Sequence, residues 1–208
     1  MEILTTAYDL NEVRIPPVST ALWRMETDRC LVLMHDFQEY FVNKLPEQTR
    51  EALIVGAGRV QDWARANSVP CAYTGQVGVG AGTERGIIGD LWGAGMGRDA
   101  KDTGFVEELR PQKNDLVIPK WRYSAFSGNN LPLILSRLRR DQVVICGIYA
   151  SVGIKATAFD CVNRDYQSFV VADAVADFDR GSHERSLEEM AAYTSRVIGA
   201  NDLLKVVT

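Results

Sequence analysis

Positive charge is not in excess along this chain, histidine is scarce, and no apolar run is long. The 208 residues carry 23 lysines and arginines against 27 aspartates and glutamates, a formal net charge of −4 with a sequence pI near 5.3. No block of basic residues overrides that balance, which excludes general attraction to nucleic acid or to an anionic membrane surface. Any anionic ligand must then be held by a few local cations. The longest apolar stretch, around Val143 to Ile154, is interrupted by glycines and is too short to cross a bilayer, so no membrane span is expected. The start of the chain, MEILTTAYDLNEVRIPPVS, lacks a basic opening and a sustained apolar core. It does not read as a secretory signal, and the protein is expected in the cytoplasm.

Paired cysteines are missing as well. Cys30, Cys71, Cys146 and Cys161 show no C-x-x-C spacing, and three of them sit in apolar strand-like or helical runs. In a reducing compartment such thiols are small core residues, so neither zinc nor a disulfide framework is expected. The two histidines, His35 and His183, lack metal-ligand spacing and read as structural or surface residues. No internal repeat and no low-complexity tract occurs.

What the chain does have is a globular composition, 46% hydrophobic and 24% charged, enough for one α/β domain with a substantial core. Residues 1–27 read as an irregular arm around Pro16-Pro17, with Leu22 and Trp23 available to pack on the body or on a partner subunit; residues 28–208 form the domain. Within it, apolar runs alternate with segments of helical period. Strands are predicted at Cys30 to Met34, Val69 to Thr74, Leu116 to Ile118, Gln142 to Ile148 and Ser168 to Ala172, with a last short one near Leu203 to Val207. Helices are predicted at Glu47 to Asn67, Leu131 to Arg140 and Val152 to Arg164. A further helix opened by Ser182 has one face marked by Leu187, Ala191, Thr194 and Ile198. This alternation implies a parallel sheet of about six strands covered by helices on both faces.

Four of these strands end in a polar residue suited to chemistry: His35-Asp36, Gln76, Lys120 and Tyr149. In an open parallel sheet the carboxyl ends of the strands lie along one edge, where ligands bind in the crevice. Asp36, flanked by Phe37, Tyr40 and Phe41, would lose hydration there, which favours its protonated form and suits it to general-acid work; capping the following turn is the plainer alternative. Lys120 heads KWRYSAF, where fixed positive charge, a flat wall and a hydroxyl donor come together. Arg137, Arg139 and Arg140 instead fit a helix C-terminus, where cations favour the dipole. The glycine-rich segment Gly75 to Gly104 reads as a lid over the crevice, with Arg85 able to reach an anion beneath it. Its VGVGAG stretch misses the dinucleotide fingerprint, because the third glycine comes one position early and Asp90 and Asp99 lie too near. The junction GIYASVG starts a helix whose unpaired N–H groups suit a carboxylate.

Taken in order, HDFQEYF, AYTGQ, TERGIIGDLWGAG, KWRYSAF, GIYASVG and FVVADAVADF resemble the isochorismatase family, within the isochorismatase-like hydrolase superfamily, over nearly the whole chain after the arm. The resemblance implies a Rossmann-like three-layer fold, a homodimer or larger assembly, no metal and no cofactor. It also implies cleavage of the enolpyruvyl vinyl ether of a small anionic cyclohexadiene, with release of pyruvate. Asp36 would protonate the vinyl carbon beside Lys120. Gln76, Arg85, Tyr149 and the N–H of Gly153 would hold carboxylates, and Trp92 and Tyr123 would wall the ring. The superfamily's amidases carry a nucleophilic cysteine where this chain has Gly153, which disfavours amide hydrolysis. A silent binding homologue is the other alternative, disfavoured by the presence of both Asp36 and Lys120. The family often has His at Ser151 and Pro at Val77 and Ala94, so the lid is expected to be looser and ring-substituent preference to differ. The segment LPEQTRE is nearer to phenazine-pathway members, whose substrate is 2-amino-2-deoxyisochorismate; isochorismate itself stays open.

Overall fold

The structure is a computed structural model that describes residues 4–79 and 85–206. Its strands are β1 (Cys30–His35), β2 (Cys71–Gln76), β3 (Leu116–Lys120), β4 (Gln142–Ile148), β5 (Gln167–Ala176) and β6 (Ser195–Ile198). They form one sheet in the order β3-β2-β1-β4-β5-β6, every neighbouring pair parallel. The helices are α1 (Glu39–Val42), α2 (Glu47–Ala66), α3 (Ile87–Trp92), α4 (Ala100–Thr103), α5 (Leu131–Leu138), α6 (Lys155–Val162), α7 (Arg180–Tyr193) and α8 (Ala200–Leu203). A π-helical turn, Ala150–Ile154, leads into α6.

Burial explains why the central runs are strands. Every residue of β1 and β4 is buried, as expected where helices cover both faces of a parallel sheet. Helix α2 buries Leu53, Ala57, Val60 and Ala64, the positions that recur at helical spacing, and packs on β1, β4, β5 and α8. Helices α6 and α7 pack on one another and on β5. The right-handed crossover rule puts them on the face opposite α2, since the chain moves one way from β1 and the other way from β4. That reversal opens a crevice between the carboxyl ends of β1 and β4, the usual ligand position in a doubly wound sheet.

Two expected elements differ. Thr194 and Ile198 are not on a helix: α7 stops at Tyr193 and Ser195–Ile198 is the sixth strand, paired with Ser168 to Val171 of β5. Period alone did not separate a helix from the β-branched strand that follows it. Of the run expected as a final strand, Leu203 ends the short helix α8, Leu204 and Lys205 form a turn, and Val207 lies outside the described residues. Helix α7 is opened by Asp179, whose carboxylate accepts from Ser182 N at 2.8 Å, so Ser182 sits inside the first turn.

The described part of the arm, residues 4–27, is tied to the body. Tyr8, Leu10 and Val13 are buried, and Thr49 on α2 both receives Tyr8 N–H at 3.0 Å and donates to Tyr8 O at 2.8 Å. Thr20 N donates to Ala191 O, Ser19 Oγ accepts from Val197 N on the edge strand β6, and Trp23 meets Phe169 edge-on at 6.4 Å. Leu22 stays exposed.

Both histidines are buried, and desolvation pushes each down to about 4 from 6.5. Between those two pH values the unfolded chain binds protons that the folded chain refuses. Stability is therefore full above about pH 6.5 and falls as pH drops toward about 4, by roughly 3 kcal/mol per histidine. Urea midpoints measured from pH 7 to pH 4 should follow that slope, and His183→Gln should flatten it; an equal slope in the variant would contradict this origin.

Candidate active site

Asp36 and Lys120 meet across the strand between them. In the register, His35 lies opposite Thr74 of β2, and Gln76 of β2 lies opposite Lys120 of β3. Asp36 follows directly after His35, and its N–H donates to Thr74 O at 3.1 Å. Its φ is +57°, a left-handed conformation that Asp tolerates better than most residues, at a cost of about 1 kcal/mol. There Oδ1 accepts from Thr74 Oγ1 at 2.9 Å and Oδ2 lies 2.8 Å from Lys120 Nζ. The ammonium also donates to Arg122 O at 2.9 Å and Tyr123 O at 3.2 Å, so all three of its protons are engaged. Asp36 and Lys120 are 4% and 2% exposed, which makes this a desolvated ion pair with fixed geometry.

The pair forms the floor of a cavity lined by Tyr40, Phe41, Gln76, Arg85, Trp92, Tyr123, Tyr149 and Gly153, among others. Every sequence-predicted site residue is thus brought to one place. Lys44, Arg85, Lys120 and Arg122 line it against the single carboxylate of Asp36, a surplus of positive charge that suits a ligand with more than one carboxylate. Arg122 is the arginine of KWRYSAF, whereas Lys44 escaped sequence reasoning. Lys44 lies over the Tyr40 ring at 4.2 Å, and only its position four residues after Tyr40, one turn on, could have signalled that.

The lid segment leaves β2 at Gln76 and returns at Thr103, and one buried carboxamide clasps both ends. Gln38 Oε1 accepts from Gln76 N at 2.6 Å, while its Nε2 donates to Gln76 O at 3.0 Å and Thr103 O at 2.9 Å. Between these ends α3 presents Ile88 and Trp92 to the cavity, and Trp92 Nε1 donates to Tyr123 OH at 2.6 Å. Arg85 donates to Gly93 O at 2.6 Å with its guanidinium packed on Gly95. Gly95 has φ +75°, a left-handed conformation that favours glycine, and the Arg85 guanidinium fills the space beside it. Gly80 and Gly82 of the VGVGAG stretch lie outside the described residues.

The Tyr149 ring lines the cavity while its O–H donates to Phe41 O at 3.1 Å; burial pushes the phenol up, so it stays protonated. The four cysteines are buried, and desolvation raises every thiol, Cys71 to about 11 and Cys30 to about 12. None is in a state to act as a thiolate nucleophile. Gly153 explains the absence of one at the helix start: a Cβ there would fall 2.4 Å from His35 Cε1. The His35 ring is fully buried, with Nδ1 3.0 Å from Ile148 O, and has little freedom to withdraw.

Among known proteins, the isochorismatase domain profile matches residues 30–202. Phenazine biosynthesis protein PhzD1 of Pseudomonas aeruginosa is 39% identical over 200 residues, covering 96% of this chain and 97% of that protein. Enterobactin synthase component B of Escherichia coli is 36% identical over 200 residues, covering 95% of this chain and 70% of that protein. A cysteine hydrolase from Pseudomonas syringae shares the fold with a TM-score of 0.81 at 23% identity, over 91% of this chain and 96% of that one.

The contact between Gly153 and His35 is open to direct measurement. Gly153→Ala overpacks a rigid site and should cost about 1–3 kcal/mol, seen as a fall of several degrees in Tm. An unchanged Tm would contradict the close approach.

Proposed function

The chain belongs to the isochorismatase family, and on that premise we propose that it hydrolyses the enolpyruvyl vinyl ether of 2-amino-2-deoxyisochorismate or isochorismate. The products are pyruvate and a trans-dihydro aromatic acid. The observation that carries this reading is the buried Asp36, oriented by Lys120 and Thr74 on the floor of a cation-lined cavity.

The substrate's two carboxylates are drawn to the cationic wall, with Arg85, the Gln76 amide and the N–H of Gly153 as their partners, while Trp92, Tyr123 and the Tyr149 ring hold the cyclohexadiene. Asp36 takes up a proton as the dianionic substrate binds and passes it to the terminal methylene carbon. The lone pair of the ether oxygen fills in behind, leaving an oxocarbenium ion. Water adds to the carbon that bears the ether oxygen and its proton returns to Asp36, giving a hemiketal. The hemiketal then collapses: the ring oxygen departs with a proton as the alcohol and the ketone of pyruvate forms.

Proton transfer to carbon is the slow step, and Lys120, 2.8 Å from Oδ2, stabilises the carboxylate it leaves. A positioned acid contributes about 10²–10⁴-fold, or roughly 3–5 kcal/mol of the barrier. Orientation by the walls and cations supplies the rest.

Similarity to PhzD1 over nearly the full length of both chains supports the amino compound as the preferred substrate and phenazine biosynthesis as the setting. Exposed apolar side chains on α3 and on and after β3, Ile87, Leu91, Val117 and Trp121, support a homodimer. The reading places the enzyme in the cytoplasm.

Pyruvate release coupled to lactate dehydrogenase should show turnover, with the higher kcat/KM on the amino compound. In ¹⁸O-labelled water the ring product should carry no label, because water attacks the pyruvyl carbon. Pyruvate from neither substrate, or label in the ring alcohol, would overturn the proposal.

A further inference from the structure

Beyond the residues that face the cavity, a buried carboxylate sits directly behind the turn that follows β4. Ile148 of β4 lies opposite Ala176 of β5, which puts Asp177 level with Tyr149. Asp177 is fully buried and does not line the cavity. Its Oδ2 accepts from Ser151 N at 2.6 Å, and its Oδ1 accepts from Ser151 Oγ at 3.0 Å and from Phe178 N at 2.8 Å. The N–H groups at a helix start have no acceptor within their own helix. Asp177 supplies one from the neighbouring strand, and so fixes the turn that offers Tyr149, Val152 and Gly153 to the cavity.

The clamp reaches back to the N-terminal arm. Asp177 N donates to Tyr8 OH at 2.8 Å, and that hydroxyl lies 3.1 Å from His183 Nδ1 on α7. Tyr8 is itself held on α2 by its two backbone hydrogen bonds with Thr49. On the other side, the Phe178 ring lies 4.3 Å from Tyr149 and 6.2 Å from Trp92, so the residue after Asp177 supports both cavity walls. Burying an ionisable carboxyl is costly, and among the described residues no cation pairs with this one. Burial pushes the carboxyl up, while the Phe178 and Ser151 donors pull it back. A wholly structural cap at this position would be served at lower cost by a neutral side chain.

We propose that Asp177 is a positioning residue for the reaction, holding the Tyr149–Gly153 turn in the shape that receives a substrate carboxylate, and that Tyr8 of the arm holds Asp177 in place. The inference rests on the vinyl ether activity proposed above. It assigns the arm a part in substrate binding although no arm residue touches the cavity among the described residues.

The carboxylate is bound before and during the chemical step, so loosening the turn weakens substrate binding and transition-state binding alike. Such a loss raises KM and leaves kcat nearly unchanged. Partial unfolding does the opposite, since fewer active molecules lower the apparent kcat at constant KM.

The test is steady-state kinetics on Asp177→Asn, Ser151→Ala, their double variant and Tyr8→Phe, each with its Tm. Asp177→Asn should raise KM about tenfold, the size expected when a hydrogen bond to a charged group is lost, with kcat within about threefold of the parent. The double variant should rise no further, because Asp177 acts through Ser151. Tyr8→Phe should raise KM in the same direction by about threefold. Unmoved KM values in folded variants, or additive effects of Asp177→Asn and Ser151→Ala, would overturn the proposal. Should Asp177→Asn not fold, Ser151→Ala and Tyr8→Phe decide it alone: KM rises in both or the proposal fails. If the parent releases pyruvate while the variants keep its KM, only this inference falls. If the parent releases none, the activity falls with it.

Discussion

The buried ion pair between Asp36 and Lys120 joins two strand ends that the sheet order holds apart by a whole strand. Its 2.8 Å contact exists because β1 and β3 flank β2 in parallel register, and because the left-handed backbone at Asp36 turns its carboxyl over β2. Removing two charges from water is expensive, and only good geometry with further hydrogen bonds offsets it. Thr74 on one side, and the carbonyls of Arg122 and Tyr123 on the other, supply those bonds. Asp36, Lys120 and the aromatic wall at Tyr123 are therefore set by one small network, and the rest of the cavity is arranged around it.

Outward from that network, each irregular segment is fastened at a point next to the cavity. Gln38, two residues after the acid, clasps both ends of the lid. Trp92 on α3 then closes onto Tyr123, three residues after Lys120. On the far wall, Asp177 fastens the turn after β4 and Tyr8 fastens Asp177. The floor is made rigid by charge and the walls by single polar side chains that bridge neighbouring strand ends.

Much of this was legible in the sequence, for physical reasons. Fully buried parallel strands are continuous apolar runs, so β1 and β4 could be read directly. Polar residues at strand ends converge wherever the sheet is parallel, which assembled Asp36, Gln76, Lys120 and Tyr149 without knowledge of strand order. The junction of α7 with β6 was not legible, because Leu187, Ala191, Thr194 and Ile198 hold a helical spacing across a change of structure. Gln38, Thr74 and Asp177 were also silent as site residues: a buried polar side chain shows its role only through partners far along the chain, here 38 residues from Gln38 to Gln76 and 26 from Ser151 to Asp177. The closeness of Gly153 to His35, which leaves no space for a thiol at the helix start, is a property of packing that no single residue announces.

The central claim is that one carboxyl delivers a proton to carbon. Single-turnover pyruvate release by Asp36→Asn, with an unchanged circular dichroism spectrum, tests it most directly. The rate should fall by about 10²-fold or more, the contribution of a positioned general acid. Release at the parental rate by the folded variant would contradict the account.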